Sequence, residues 1–439
     1  MKLELACRLQ IMSYLRRMGQ RIVDVAFLAR FMVRHARCEF VVLDHDALGT
    51  FISVADEVLY RVTSDEQGRE VSKPIVVIFP REASNEACRS LFLRAMSCQE
   101  SLRILDSRGR WTVHFLERAL RKVNRKRGSV PSFLLRSWTR SGLDARALLD
   151  TGRPYIQFTP EETERGWAAL AKFGIRPDTD YVCFSVRDRA YMTQRYQQKS
   201  ASPSADHSRH DYRNPPMEGY KRSIERLLAE GLTVVRTGRI VEHGFLVDHP
   251  NFVAYAGSDQ WTDFLDLFLY ANCRFALHGG SSGIDSLATT FRKPLCLVDV
   301  VPWLHTLCST SILVTTPALL MEIASGRILT LQEMVESFPS RTSDYDDHGV
   351  AIVRHGEEEI DGAIRELQSR LAGTWVSTSA DDERQALFWA GMPDPLDLYE
   401  PLGCPVADGR GSVVVVGTKF LRDHARELLG DGSLRQLSR

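Results

Sequence analysis

Residues 274–300 read RFALHGGSSGIDSLATTFRKPLCLVDV, and the parsing of this stretch decides the fold. An apolar strand over 275–277 runs into a polar loop, His278, Gly279, Gly280, Ser281, Ser282 and Gly283. An amphipathic helix is expected over 284–291 and a second apolar strand over 294–298. Strand, loop, helix, strand is the βαβ unit of a parallel sheet. Glycines where a strand hands over to a helix let the backbone approach a ligand closely. The unpaired N–H groups at the helix start favour an anion. Ser281 and Ser282 stand where they could cap the helix or bond a phosphate. The plain alternative is a tight turn with a serine cap. His278 favours the binding role, because ligands of open α/β sheets sit at the carboxyl ends of the strands. A buried histidine bonded to a backbone carbonyl is the competing reading of that residue.

The alternation continues upstream. Residues 181–186 (YVCFSV) form a strand with Arg187, Asp188 and Arg189 at its exit. A polar loop over 190–216 ends in His210, Asp211, Tyr212, Arg213, Asn214, Pro215 and Pro216. A helix over 217–230, a strand over 232–235 and the exit loop Arg236, Thr237, Gly238, Arg239 follow, then a strand over 252–255 and a helix over 261–272. A parallel sheet gathers its exit loops on one edge. The groups at Arg187 and Arg189, at Arg236 and Arg239, and at 278–283 should therefore converge. Guanidinium forks bind phosphate oxygens in pairs. A structureless loop as long as 190–216 is usually functional or disordered, so Arg213 and Asn214 belong either to a lid over a diphosphate or to a solvated surface.

Nearer the amino terminus, 40–43 (FVVL) reads as a strand followed by Asp44, His45 and Asp46. These three are candidates for a base that activates a hydroxyl, with a solvated surface loop as the bland alternative. Residues 74–79 and 101–106 read as strands and 86–96 as a helix. A capping pattern with proline begins a helix at 159–162. Glycine and proline over 172–180 mark a linker. The division is a helical segment over 1–38, one Rossmann-like unit over 39–165, a second over 176–375, and an unassigned extension over 376–439.

Composition narrows the class. The chain has 439 residues, 44% hydrophobic and 26% charged, with zero net charge, which gives no overall case for nucleic acid. Nine cysteines lie without a CxxC pair, which disfavours structural zinc and disulfides and suits a reducing cytoplasm. The first 38 residues are apolar but interrupted by arginines, so no run approaches the ~20 residues of a membrane span. They suit either a peripheral contact with an anionic membrane face or a helix docked on the protein. The basic run 118–127 is either a solvated face or a surface for phosphates. No GxxxxGK[ST] or GxGxxG is present, so neither a P-loop nor a dinucleotide fingerprint is supported.

SVRD at 185–188, HDYRN at 210–214, VVRTGR at 234–239 and HGGSSGIDSLA at 278–288 resemble a family of bacterial glycosyltransferases of the GT-B fold, tied to surface polysaccharide synthesis. The glycine loop is similar to that of heptosyltransferases, and SVRD to polysaccharide pyruvyltransferases and fucosyltransferases. The resemblance implies two Rossmann-like, doubly wound α/β domains facing a cleft, the first holding a glycan or lipid-linked acceptor and the second a nucleotide-sugar donor. It implies donor binding by Arg187, Arg236, Gly279, Gly280, Ser281, Ser282 and Gly283. Arg189, Arg213, Asn214, Arg239 and His278 complete the expected phosphate site. No cofactor and no metal are expected, since arginines and backbone amides would stabilise the leaving group. Pyruvyl transfer from phosphoenolpyruvate is the second reading. A non-catalytic sugar-binding or assembly protein is the third.

Overall fold

The computed structural model describes residues 39–43, 47–65, 75–108, 153–199, 208–242, 245, 247–303, 313–336, 342–392 and 414–434. The first unit comprises β1 (Glu39–Val42), α1 (Leu48–Asp65), β2 (Ile75–Phe79), α2 (Glu86–Ser97) and β3 (Leu102–Asp106). Its three strands pair in parallel in the order β1-β2-β3. Helix α3 (Pro160–Ala171) follows, and its capping box is as expected: Glu162 N–H donates to Thr159 Oγ1 at 3.2 Å and Thr159 N–H to Glu162 Oε2 at 2.9 Å.

The second unit begins with β4 (Tyr181–Val186), α4 (Ala190–Lys199), two 3-10 turns (Ser208–Arg213 and Glu218–Tyr220), α5 (Lys221–Ala229), β5 (Thr233–Arg236) and β6 (Phe252–Val253). It continues through α6 (Asp263–Asn272), β7 (Phe275–Gly279), α7 (Asp285–Thr290), β8 (Leu295–Val300) and β9 (Leu313–Pro317). Then come the antiparallel pair β10 (Leu319–Glu322) and β11 (Val350–Val353), with α8 (Leu331–Glu336) and α9 (Thr342–Asp347) between them. The chain closes with α10 (Glu357–Leu371), α11 (Ser379–Gly391), β12 (Val414–Val416) and α12 (Thr418–Leu434).

Seven strands form one sheet in the order β12-β9-β8-β7-β4-β5-β6, every pairing parallel. The chain winds outward from β4 through β5 to β6, then returns to the other side of β4 with β7. That reversal puts a topological switch point between β4 and β7, the place where doubly wound sheets bind ligands. Alternation along the strands supplies both faces. Tyr181, Cys183, Ala276, Leu295 and Leu297 join one hydrophobic cluster, while Val182, Phe184, Phe275, Leu277, Cys296 and Val298 join another, covered by α5 and α10.

Two expectations change here. The loop 190–216 is not structureless, because α4 occupies its start and Asp188 Oδ1 accepts the Ala190 N–H at 2.9 Å. The extension beyond 375 adds β12 to the sheet edge beside β9, with α12 packed on α11 and α10. Where the two units meet, the described residues also share one core, which the sequence did not suggest. It runs from Phe51, Phe79 and Phe92 to Phe268, Leu287 and Phe291, with α1 against α7 and α2 against α6.

Candidate functional site

The exit loops of β4 and β7 meet at the switch point. Arg187 N–H donates to Gly279 O at 2.8 Å, which ties the two loops together. Its Nη1 donates to His210 O at 3.0 Å and to Asn214 Oδ1, both on the segment 208–216. Arg213, from that segment, donates through Nη2 to Ser281 O at 2.5 Å and Ser281 Oγ at 3.2 Å. Burial, helped by the Arg213 charge, pulls the Arg187 pKa down to about 10. Among the described residues neither guanidinium pairs with a carboxylate, and Arg187 Nε and Nη2 have no protein partner. The nearby carboxylates are turned elsewhere. Asp188 accepts the Ala190 and Glu242 N–H groups, and Asp211 accepts Asn214 Nδ2 at 3.2 Å. Two half-buried guanidinium groups, neither in a salt bridge among the described residues, have the chemistry to meet an anion, with Asp188 and Asp211 acting on Arg187 through space.

The segment 208–216 is a wall more than a lid. Tyr212 N–H donates to Thr342 Oγ1 at 3.2 Å, its ring packs on Tyr345 with centroids 5.0 Å apart, and its carbonyl accepts from Arg354. Arg354 also donates to Asp299 O at 3.1 Å. Asp299 sits in the left-handed region at φ 58°, where its carboxylate accepts the His355 N–H at 3.0 Å and the Tyr220 hydroxyl at 3.4 Å. Tyr220 in turn covers Gly279, where a Cβ would collide with its ring.

The other predicted residues divide. Gly280 has φ 69°, and a Cβ there would meet Arg213 O and Pro215, so the close approach it permits is taken by the protein's own backbone. Ser281 is buried and donates to Val301 O at 3.2 Å. Ser282 gives its N–H to Asp285 Oδ2 at 2.7 Å instead of offering it to an anion. Gly283 packs on Gly49 at the start of α1, where a Cβ on Gly49 would lie 3.0 Å from the Gly283 Cα. His278 stands behind the loop. It is 1% exposed, with Nε2 2.7 Å from Tyr270 Oη and Nδ1 2.7 Å from Asp285 Oδ1. Arg236 is 3% exposed, with Nη1 on Phe245 O at 3.3 Å and Nη2 without a hydrogen-bond partner among the described residues. Arg189 faces solvent in an ion pair with Glu242, 3.1 Å long. Arg239 turns toward the first unit, 3.5 Å from Ser84 O and stacked 4.8 Å over the Trp261 ring. Asp44, His45 and Asp46 lie outside the described residues. So do the segment 1–38 and the basic run 118–127.

Sequence reasoning passed over Asp285. The signal was present as Ser282-x-x-Asp285, a capping-box spacing. Among the described residues no group of three His, Cys, Asp or Glu side chains gathers to hold a metal ion, and no helix is long and apolar enough to cross a membrane.

No family model matches the chain, and none of the curated proteins matches it. Among solved structures it is similar to a family 9 glycosyl transferase from Veillonella parvula DSM 2008, at 13% identity over 59% of this chain and 79% of that one, with a TM-score of 0.35. It is similar to the bacterial iron-containing dodecameric glycosyltransferase TibC from enterotoxigenic E. coli H10407, at 14% identity over 60% of this chain and 57% of that one, with a TM-score of 0.28. The heptosyltransferase TibC in complex with ADP-D-beta-D-heptose gives 10% identity over 76% and 77%, with a TM-score of 0.34.

Proposed function

We propose that the chain is a glycosyltransferase of GT-B arrangement that moves a sugar from a nucleotide-sugar donor to a glycan or lipid-linked acceptor in surface polysaccharide synthesis. The observation that carries this reading is the pair Arg187 and Arg213 at the switch point of a doubly wound sheet, neither in a salt bridge among the described residues. A diphosphate leaving group needs cationic groups that are fixed before charge develops. In the reaction the acceptor hydroxyl attacks the anomeric carbon, the bond from that carbon to the diphosphate oxygen breaks, and the diphosphate leaves with the electron pair toward Arg187. The hydroxyl proton passes to a base, for which Asp44, His45 and Asp46 are the candidates. They precede Gly49 in the sequence, and Gly49 packs on Gly283 of the glycine loop. The arginine pair supplies the positive charge, so turnover is proposed to need no divalent metal and no cofactor. The arginines of residues 1–38 support a cytoplasmic protein at the inner face of the membrane.

Thermal-shift measurements with ADP, GDP, UDP, CMP and phosphoenolpyruvate test the reading. One nucleoside diphosphate should raise the melting temperature. Arg187→Ala should weaken its binding about ten- to a hundred-fold, the worth of a charge-assisted bond, without altering the fold. A shift with phosphoenolpyruvate alone would transfer the reading to pyruvyl transfer. Wild-type affinity in Arg187→Ala would remove the donor site from the switch point.

A further inference from the structure

Behind the glycine loop runs a line of four hydrogen-bonded side chains. Thr237 Oγ1 lies 2.9 Å from Tyr270 Oη, and Tyr270 Oη lies 2.7 Å from His278 Nε2. His278 Nδ1 lies 2.7 Å from Asp285 Oδ1, and Asp285 Oδ2 accepts the Ser282 N–H at 2.7 Å. Thr237, Tyr270 and His278 are buried, and the Asp285 side chain is 16% exposed. An ionised carboxylate only accepts, so His278 must donate from Nδ1. An imidazole with its one proton on Nδ1 accepts at Nε2, so Tyr270 donates there and the Thr237 hydroxyl donates to Tyr270. Phe184 O, the other acceptor within reach of that hydroxyl at 3.2 Å, already receives the Thr237 N–H at 2.7 Å. A proton on His278 Nδ1, donated to Asp285, thus sets the direction of every bond in the line.

The other end of the line reaches the arginines. Asp285 holds Ser282, the adjoining Ser281 carbonyl accepts Arg213 Nη2, and Arg213 stands beside Arg187. We propose that Asp285 is a positioning residue. Through His278 and Ser282 it sets the glycine-loop conformation that presents Arg213 to the anion. The inference rests on the anion site argued above.

Two variants separate positioning from charge. In Asp285→Asn the amide oxygen still accepts the Ser282 N–H, while the amide nitrogen donates to His278 Nδ1. His278 then donates from Nε2 to Tyr270, Tyr270 to Thr237, and Thr237 to Phe184 O. The line is reversed with every partner satisfied. Asp285→Ala releases both ends. Imidazole nitrogen NMR on histidine-labelled protein should place the His278 proton on Nδ1 in the wild type and on Nε2 in Asp285→Asn. Hydrogen exchange at the Ser282 amide should quicken about ten-fold or more in Asp285→Ala and stay unchanged in Asp285→Asn. Calorimetry with inorganic pyrophosphate should show affinity reduced about ten-fold in Asp285→Ala and held within about three-fold in Asp285→Asn. A wild-type proton on Nε2, or an Asp285→Ala protein that exchanges and binds as the wild type does, overturns the proposal. A wild type that ignores pyrophosphate overturns the anion-site reading instead, and the tautomer and exchange data still decide the line.

Discussion

At Gly280 the absence of one carbon shapes the site. The residue is left-handed at φ 69°, and a Cβ would run into Arg213 O and Pro215. Gly280→Ala should therefore lower stability by about 1–3 kcal/mol, read by urea unfolding, and weaken pyrophosphate binding by displacing Arg213. Asp266 carries a different load. It is buried beneath the contact between the units, accepts Trp261 Nε1–H at 2.9 Å, and has Tyr255, Asp263 and Arg239 around it. Burial pushes its pKa up to about 7, against the Trp261 and Tyr255 bonds that favour the anion. The folded protein thus keeps a proton that the unfolded chain releases near about pH 4. Stability should fall as pH rises from about 4 to about 7 and level off above. Asp266→Asn should abolish that slope and stabilise the protein at pH 8 by up to about 4 kcal/mol, with little change at pH 4. A slope in urea unfolding that survives the substitution would assign it to other groups.

Among the elements, the carboxyl-terminal strand and helices repay attention. Strand β12 covers the edge of β9, and Phe388, Val416, Phe420, Leu421 and Leu428 fill one cluster with Trp303 and Leu320. Buried Glu366 accepts the Thr418 N–H at 2.6 Å and its hydroxyl at 2.8 Å. Removing residues 376–439 uncovers a strand edge and an apolar face together, and takes both Thr418 donors from Glu366, which keeps its ion pair with Arg370 at 2.7 Å. The truncated chain should be insoluble or bind a hydrophobic dye, while the intact chain stays monodisperse in gel filtration. A well-folded truncation would make this extension a separate appendage.

Over the whole molecule, the two sheets stand on a common core and a buried ion pair. Asp56 on α1 and Arg292 after α7 meet at 2.8 Å, with side chains 0% and 9% exposed. Removing one partner of a buried pair costs about 3–5 kcal/mol, because the other charge stays buried. Arg292→Ala should lower the melting temperature sharply. In calorimetry the wild type should unfold in one transition, as expected when a single core joins both units. Two resolved transitions in the wild type would show units that are stable apart.

The pattern of residues alone determined the parallel α/β architecture. Apolar runs such as YVCFSV at 181–186 and PLCLV at 294–298 have the length of buried strands, and the glycine loop marks a strand handing over to a helix. The capping box at Thr159 and Glu162 was equally legible, because its chemistry is local. Sequence also pointed to Arg187 and Arg213, but by residue type alone, which assigned Arg236 and His278 the same role. Only the structure separated His278, whose two ring nitrogens are both held inside the fold, from Arg187 and Arg236, which each keep a guanidinium nitrogen without a protein partner among the described residues. The switch point, the wall at 208–216 and the line from Thr237 to Asp285 join residues far apart in the chain. Only the order in which the strands pair, set by packing on both faces of the sheet, could bring them to one edge.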